Sequence, residues 1–337
     1  MSKLLTMRDA VAELVPDGCS IAMGLQMEQM IPFAAGHEII RQKKRGLTLI
    51  GPISDVLFDQ LIGAGCVERV IAAWVGNVMM GSAYNFRRAC EEENPGAPGR
   101  KLQVTNMTNF SVALALQAAA MGVPFLPTRT ALGSDVARGS PYFAEMESPF
   151  PSGEWRGASG ESPGERGRDA RTAAGETPAL PEKLHAVKAI VPDVAIVHVQ
   201  RADAQGNAHC WGNFGVMLEG VRAARRVIVV AEEIVNAEVI SSDPNRTVIP
   251  GFLVSAVVEC RWGAHPSPVQ GCYNRDDAAF QQYHEQTRTP KDFDAWKARW
   301  VEGPADRREY MNLVGACRQQ ELEVKRHAYA AQADFGY

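Results

Sequence analysis

The sequence predicts an α/β fold: an open, mainly parallel sheet with helices on both faces and a helical C-terminal tail. Three observations carry this. Val194 to Val199 is a near-continuous apolar, β-branched run, the pattern of a strand covered on both faces. From Met7 to Thr128 short apolar runs alternate with amphipathic stretches, the rhythm of βαβ units. From Asp276 onward the chain is polar with widely spaced aromatics, as expected of helices that wrap a domain or meet a partner.

Taken in order, Met7 to Val15 puts Val11, Leu14 and Val15 on one helical face, and Pro16-Asp17-Gly18 stops it before a strand at Ser20 to Met23. Gly24 to Gln29 is a polar-edged loop. Pro32 suits the first turn of a helix running to about Lys44, because its missing N–H costs nothing there. Leu47 to Ile50 is the next strand, Ser54 is expected to cap a helix ending near Gly63, and Val67 to Val75 is a third strand. After the Gly76 to Ser82 loop come a helix at Asn85 to Glu93, a strand at Leu102 to Met107 and an Ala/Leu-rich buried helix at Ser111 to Met121. Phe125 to Thr128 is a short strand leading into Gly133-Ser134-Asp135. The long run at Val194 is followed by strands at Val227 to Ala231, Thr247 to Ile249 and Val254 to Arg261. Phe280, Tyr283, Phe293, Trp296 and Trp300 are the packing anchors of the tail.

One segment breaks the rhythm. Pro151 to Pro181 holds six Gly and four Pro, with Trp155 and Leu180 its only large apolar side chains. It offers too little apolar surface to offset ordering entropy, so it is expected to be a disordered surface insertion within a single domain spanning 1–337.

Composition excludes several classes. With 337 residues and 46% hydrophobic content the chain can bury a sizeable core. A net charge of -4 gives no basic field for nucleic acid or an anionic membrane. The seven cysteines are scattered, with no C-x-x-C pair, and fit reduced, packed thiols. No run approaches a bilayer span and no signal-like apolar block opens the chain, so a soluble cytoplasmic protein is expected. There is no Walker A loop, no G-x-G-x-x-G after a strand, no H-E-x-x-H and no G-x-S-x-G. His37-Glu38 and His284-Glu285 lack a second histidine at metal-ligand spacing, and no metal site is expected.

Candidate functional residues lie where strands end. Open α/β sheets bind ligands beyond the carboxyl ends of their strands, which selects Gly24 and Gln26 after the first strand and Gln200 and Arg201 at the end of the Val194 run. Gly133, Ser134 and Asp135 offer N–H and hydroxyl donors or merely close a loop. Arg201 and Asp203 are expected to pair and fix their loop, with Asn207 as turn chemistry around Gly206. Glu232 or Glu233, just past Val227 to Ala231, is expected to be a structural hydrogen-bonded carboxylate, or else to face the cleft or a partner. His265 is either a core histidine or a substrate donor.

Several of these stretches together resemble one family. Asp17-Gly18, Ile21-Ala22-Met23, Gly24 and Pro32 resemble the amino-terminal signature of class I CoA-transferase α subunits. VPDVAIVHVQRADAQGNAHCWG from Val191, NFRRA from Asn85, PFLPTRTALGSD from Pro124, AEEIV from Ala231 and GAHPS from Gly263 continue the match in order. The chain is most similar to the glutaconate CoA-transferase α-subunit branch, which includes a ring-opening hydrolase α subunit. The resemblance implies a β-subunit partner, with α2β2 assembly expected, a CoA thioester as substrate and no permanently bound cofactor. It implies a glutamate on the partner chain that attacks the thioester, and therefore no catalytic residue here. Glu93-Asn94 imitates a β-subunit motif, but it is followed by Pro95 in an acidic run and is read as surface. Related α subunits tend to carry glutamate near the strand end at Val104 to Phe110; this chain has Thr105, Asn106 and Asn109, and asparagine is no carboxylate base. That departure weighs against the ring-opening hydrolase and leaves the transferase as the reading, with the hydrolase and a noncatalytic subunit that lost this glutamate as the alternatives. The bulk of Leu25 and Met27 beside Gly24 is expected to narrow the approach to the site.

Overall fold

The computed structural model describes residues 2–149 and 183–324, so the Pro151 to Pro181 segment lies outside the described residues. The first half alternates as read: α1 (Met7–Leu14), β1 (Ser20–Ala22), α2 (Phe33–Arg41), β2 (Leu47–Ile53), α3 (Val56–Gly63), β3 (Val67–Trp74), α4 (Tyr84–Glu91), β4 (Gln103–Asn106) and α5 (Asn109–Ala120). A short excursion follows, β5 (Phe125–Thr128), β6 (Phe143–Glu147) and β7 (Lys183–Lys188). The chain then returns through β8 (Val194–Ala202), β9 (Ala208–His209), α6 (Met217–Ala223), β10 (Arg226–Ile234), α7 (Ala237–Ser241), β11 (Thr247–Ile249) and β12 (Ala256–Glu259). The tail is α8 (Asp277–Gln286), α9 (Pro290–Lys297), α10 (Arg307–Val314) and α11 (Ala316–Leu322).

The spine of the molecule is a parallel sheet in the order β4-β3-β2-β1-β8-β10-β12, with β9 and β11 added antiparallel beyond the end of β8. The chain winds outward from β1 to β4 and then outward the other way from β8, so the topological switch lies between β1 and β8. Nearly every residue of β8 is buried, which is why its sequence is continuous rather than alternating. The helices α1 to α4 pack as one layer and α5 with α6 as another, closing both faces. Thr6 and Thr108 cap α1 and α5 by accepting from Asp9 N and Ser111 N.

Two expectations need correction. Phe125 to Thr128 is a strand but belongs to a separate antiparallel sheet, β5-β7-β6, because its partners Phe143 to Glu147 and Lys183 to Lys188 gave no sequence signal of their own. Ser54 does not cap α3. Asp55 occupies that position with no side-chain cap, and among the described residues the buried Ser54 hydroxyl has no hydrogen-bond partner. Its side chain is wedged against the first loop: a Cβ at Gly24, which sits at φ +66°, would lie 2.5 Å from Ser54 Cβ.

The aromatic anchors of the tail are all buried, Phe280, Tyr283, Phe293, Trp296 and Trp300 among them. Among the described residues no helix is long and apolar enough to cross a membrane.

Candidate active site at the carboxyl edge of the sheet

The carboxyl edge is crossed by a strap, residues 260–277, of which the sequence singled out GAHPS and His265 but not the course across the strand ends. It visits the ends of successive strands. Cys260 N donates to Ala231 O, and Trp262 N donates to Glu232 Oε2 at 2.7 Å at the end of β10. Gln270 O accepts from Gln200 Nε2 at 3.2 Å at the end of β8. Ser267 Oγ donates to Glu28 O at 2.6 Å, and Pro268 O accepts from Met30 N at 3.0 Å, beyond β1. Arg275 Nη2 reaches Asp55 Oδ2 at 2.6 Å beyond β2, and past the strap Phe280 O accepts from Asn77 Nδ2 at 3.0 Å beyond β3. Among the described residues the end of β4 is left unlatched.

The strap decides what the sequence-selected residues do. Glu232 is a carboxylate engaged at both oxygens: His198 Nε2 lies 2.7 Å from Oε1, Tyr273 donates its hydroxyl to the same oxygen at 2.7 Å, and Oε2 takes the Trp262 amide. Burial pushes the Tyr273 hydroxyl well above its ordinary pKa, and the Glu232 charge adds to it, so that hydroxyl remains a donor. Gln200 spends its amide on Trp211 O and Gln270 O, joining two loops. Arg201 does not pair with Asp203. It faces Glu233 at 3.5 Å, its register partner on β10, and lies over the Trp211 ring at 5.6 Å. Asp203 instead accepts from Gln205 N and from both nitrogens of Asn207, closing the turn at Gly206. His265 is an interior residue, between Tyr310 Oη at 3.0 Å and Asp276 Oδ2 at 2.9 Å.

Gly24, Leu25 and Gln26 sit at the switch point, all buried. The Leu25 side chain does not project toward an opening: a Cβ at Gly220 would come within 2.4 Å of Leu25 Cδ1, so it packs against α6. Among the described residues the acceptors of Gln26 Nε2 are sulfurs, Met30 Sδ and Cys210 Sγ, each at 3.5 Å. Among the described residues the backbone N–H groups of Gly24 to Gln26 donate to no carbonyl.

Gly133, Ser134 and Asp135 lie apart from this group. Ser134 Oγ accepts from Val136 N, and Asp135 pairs with Arg138 at 2.9 Å in solvent. The loop nevertheless reaches the sheet at β4, where Asp135, Arg138 and Ser140 enclose a cavity of about 360 Å³ with Thr105 and Asn106. The loop after β3 exposes Val78, Met79 and Met80, and α5 exposes Phe110.

Sequence reasoning misses Asp55 and Arg275. Asp55 is fully buried at φ +48°, a costly backbone for a non-glycine residue, and is held there by Arg275 and by the Val78 amide at 3.2 Å. Burial pushes its carboxyl up while Arg275 pulls it down. A helix-start Ser-Asp reads as a cap, and nothing in the sequence links Asp55 to an arginine so far along the chain.

The sheet order, the switch point and the latched carboxyl edge can be set beside known proteins. Residues 4–260 match the model of the coenzyme A transferase family. The chain belongs to that family. It is similar to the A chain of 3-oxoadipate CoA-transferase from Pseudomonas knackmussii, 34% identical over 314 residues, covering 93% of this chain and 99% of the relative. The corresponding chain of glutaconate CoA-transferase from Acidaminococcus fermentans is 34% identical over 326 residues, 96% of this chain and 95% of the relative. The crystal structure of glutaconate coenzyme A-transferase from Acidaminococcus fermentans superimposes with a TM-score of 0.81 at 31% identity, covering 97% of both chains. The chain is thus an α-type CoA-transferase subunit, and its family handles CoA thioesters as substrates.

Proposed function

We propose that this α-type chain works with a β subunit, as α2β2, to move CoA between an acyl-CoA and a short dicarboxylic acid, with the attacking glutamate supplied by the β chain. The observation that carries the placement of the nucleophile is the commitment of this chain's buried edge carboxylates. Glu232 accepts three hydrogen bonds and Asp55 is locked to Arg275. A carboxylate so engaged is a poor nucleophile. At the unlatched end of β4 the chain offers Thr105 and Asn106, which cannot attack a thioester as a carboxylate does.

In this reading the partner's glutamate attacks the thioester carbonyl and expels CoA thiolate, leaving a mixed anhydride. The thiolate then attacks the glutamyl carbonyl, releases the free acid and leaves a glutamyl-CoA thioester, which the acceptor acid reverses. The backbone N–H groups of Gly24 to Gln26, which among the described residues donate to no carbonyl, are the donors assigned to the developing oxyanion, where fixed dipoles in a dry site are most effective. Gly133 to Asp135 and Asn106 border the substrate entrance, and the β chain covers Val78 to Met80 and Phe110. The dicarboxylic substrate class is supported by the two similar chains, whose names carry 3-oxoadipate and glutaconate.

The test is coexpression with the β-like chain encoded beside it, followed by exchange assays over mono- and dicarboxylic acceptors. Borohydride reduction after addition of acyl-CoA should mark a partner peptide. A mark on this chain, or full exchange by this chain alone, would refute the assignment. Thioester-retaining ring opening without an acceptor acid would instead indicate the hydrolase.

A further inference from the structure

Several polar side chains at the carboxyl edge are already engaged. Gln200 gives its amide to Trp211 O and Gln270 O and accepts from Trp211 N. Asn77 gives its own to Phe280 O and accepts from Met79 N and Met80 N. The Ser54 hydroxyl and Gln29 Oε1 have no partner among the described residues, but both are sealed from solvent and no ligand reaches them. Gln26 is different. It is only 2% exposed, its Nε2 rests on the weak sulfur acceptors Met30 Sδ and Cys210 Sγ, and its Oε1 accepts no hydrogen bond among the described residues. That oxygen is not one of the sealed atoms, so the little surface this side chain keeps includes its unpaired acceptor.

The surroundings fix where that oxygen stands. Leu25 O accepts from Val216 N at 2.7 Å and Gln26 O from Gln29 N at 3.3 Å, so the backbone that carries the side chain is tied down. Burial pushes the Cys210 thiol up to about 12, which leaves it an uncharged neighbour. An amide oxygen without a donor in so buried a place costs free energy, and a ligand that brings a donor recovers it. A thioester carbonyl and an ionised diacid carry only acceptors. The substrate donor nearest the reacting carbon is the amide N–H of the CoA arm, just beyond the sulfur. We propose that Gln26 Oε1 accepts this N–H and so holds the thioester sulfur in place while the backbone N–H groups of Gly24 to Gln26 meet the carbonyl oxygen. The inference rests on the transferase reading and adds to it a contact between this chain and CoA itself.

The experiment uses the enzyme assembled with its β chain and succinyl-, glutaryl- and glutaconyl-CoA, each beside an analogue in which an ester oxygen replaces the amide N–H next to the sulfur. The wild type should use the natural thioester about fivefold more efficiently in kcat/KM, the factor that one neutral hydrogen bond supplies. Gln26→Met keeps the length of the side chain and suits a pocket of sulfur atoms, and it should bring that ratio close to one. Gln26→Leu should do the same. The ratio is the readout, because a folding or oxyanion defect lowers both thioesters alike. No preference in the wild type, or a preference that survives in both variants, would overturn the proposal while leaving the transferase reading intact. If the assembled wild type exchanges none of the three thioesters, the reading and this contact fall together.

Discussion

Arg275 Nη2 lies 2.6 Å from Asp55 Oδ2, a bond between residues 220 positions apart that joins the strap to the end of the second strand. The guanidinium also stacks on Phe280 at 3.8 Å and touches Asp277 at 3.1 Å. It therefore holds a loop, a helix start and a strained backbone in one place.

Removing one member of that pair should cost more than the pair itself is worth. Arg275→Met leaves Asp55 buried and uncompensated, and a loss of about 3 to 5 kcal/mol is expected in urea unfolding. Asp55→Asn, which keeps the acceptor oxygen for Val78 N, should cost less. Equal losses would show that charge is not the issue.

Glu232→Gln should loosen the strap at its first latch. The amide retains one acceptor oxygen for three donors, so at least one of Tyr273 Oη, His198 Nε2 and Trp262 N goes unpaired, at about 1 to 3 kcal/mol each. Hydrogen exchange at the Trp262 amide should accelerate in step with the lost stability.

Gly24→Ala tests the switch-point loop. The new Cβ would lie 2.5 Å from Ser54 Cβ and 2.8 Å from its Cα, at a positive φ. A destabilisation of about 1 to 3 kcal/mol is expected from overpacking, with exchange activity of the assembled enzyme falling further than stability alone explains. Gly133→Ala, with nothing within 4 Å of the added atom, supplies the comparison for φ strain without a clash.

Acid should destabilise the protein in two stages. Burial holds His37 and His265 below the ordinary imidazole pKa, so the unfolded chain takes up protons first and stability falls once pH drops below about 6.5. Each such histidine adds a slope of up to about 1.4 kcal/mol per pH unit. For Asp276, burial opposes ionisation but is outweighed by the hydrogen bonds from His265 and Arg318, and its carboxyl stays well below the usual range. Its contribution is present above about pH 4 and is lost below it. Urea midpoints across pH should show both breaks, the upper one shallower in His37→Gln.

The sheet was legible because both periodicities were strong: the buried run at Val194 and the alternation from Met7 onward name the spine and its helices. The small sheet was not. Phe143 to Glu147 and Lys183 to Lys188 are half-exposed strands with mixed polar content, and pairing supplies what their sequences lack. At the site, strand-end logic put Gly24, Gln200 and Glu232 at the carboxyl edge, where they stand, but could not name what occupies them. The hydrogen bonds of Gln200 and Glu232 are met in large part by residues 260–277, and a one-dimensional pattern carries no record of which distant loop returns to cover an edge. Arg201 chose Glu233 over Asp203 for the same reason, since register across β8 and β10 outranks proximity in sequence.

That returning strap also sets a timetable. Ser267 closes on Glu28 and Arg275 on Asp55 across separations of 239 and 220 residues. Contacts so distant must wait for chain closure, which makes them late and slow to form. During synthesis the strand ends of the first half therefore stand uncovered until residues 260–277 have emerged, and the carboxyl edge is among the last parts of the described fold to become native.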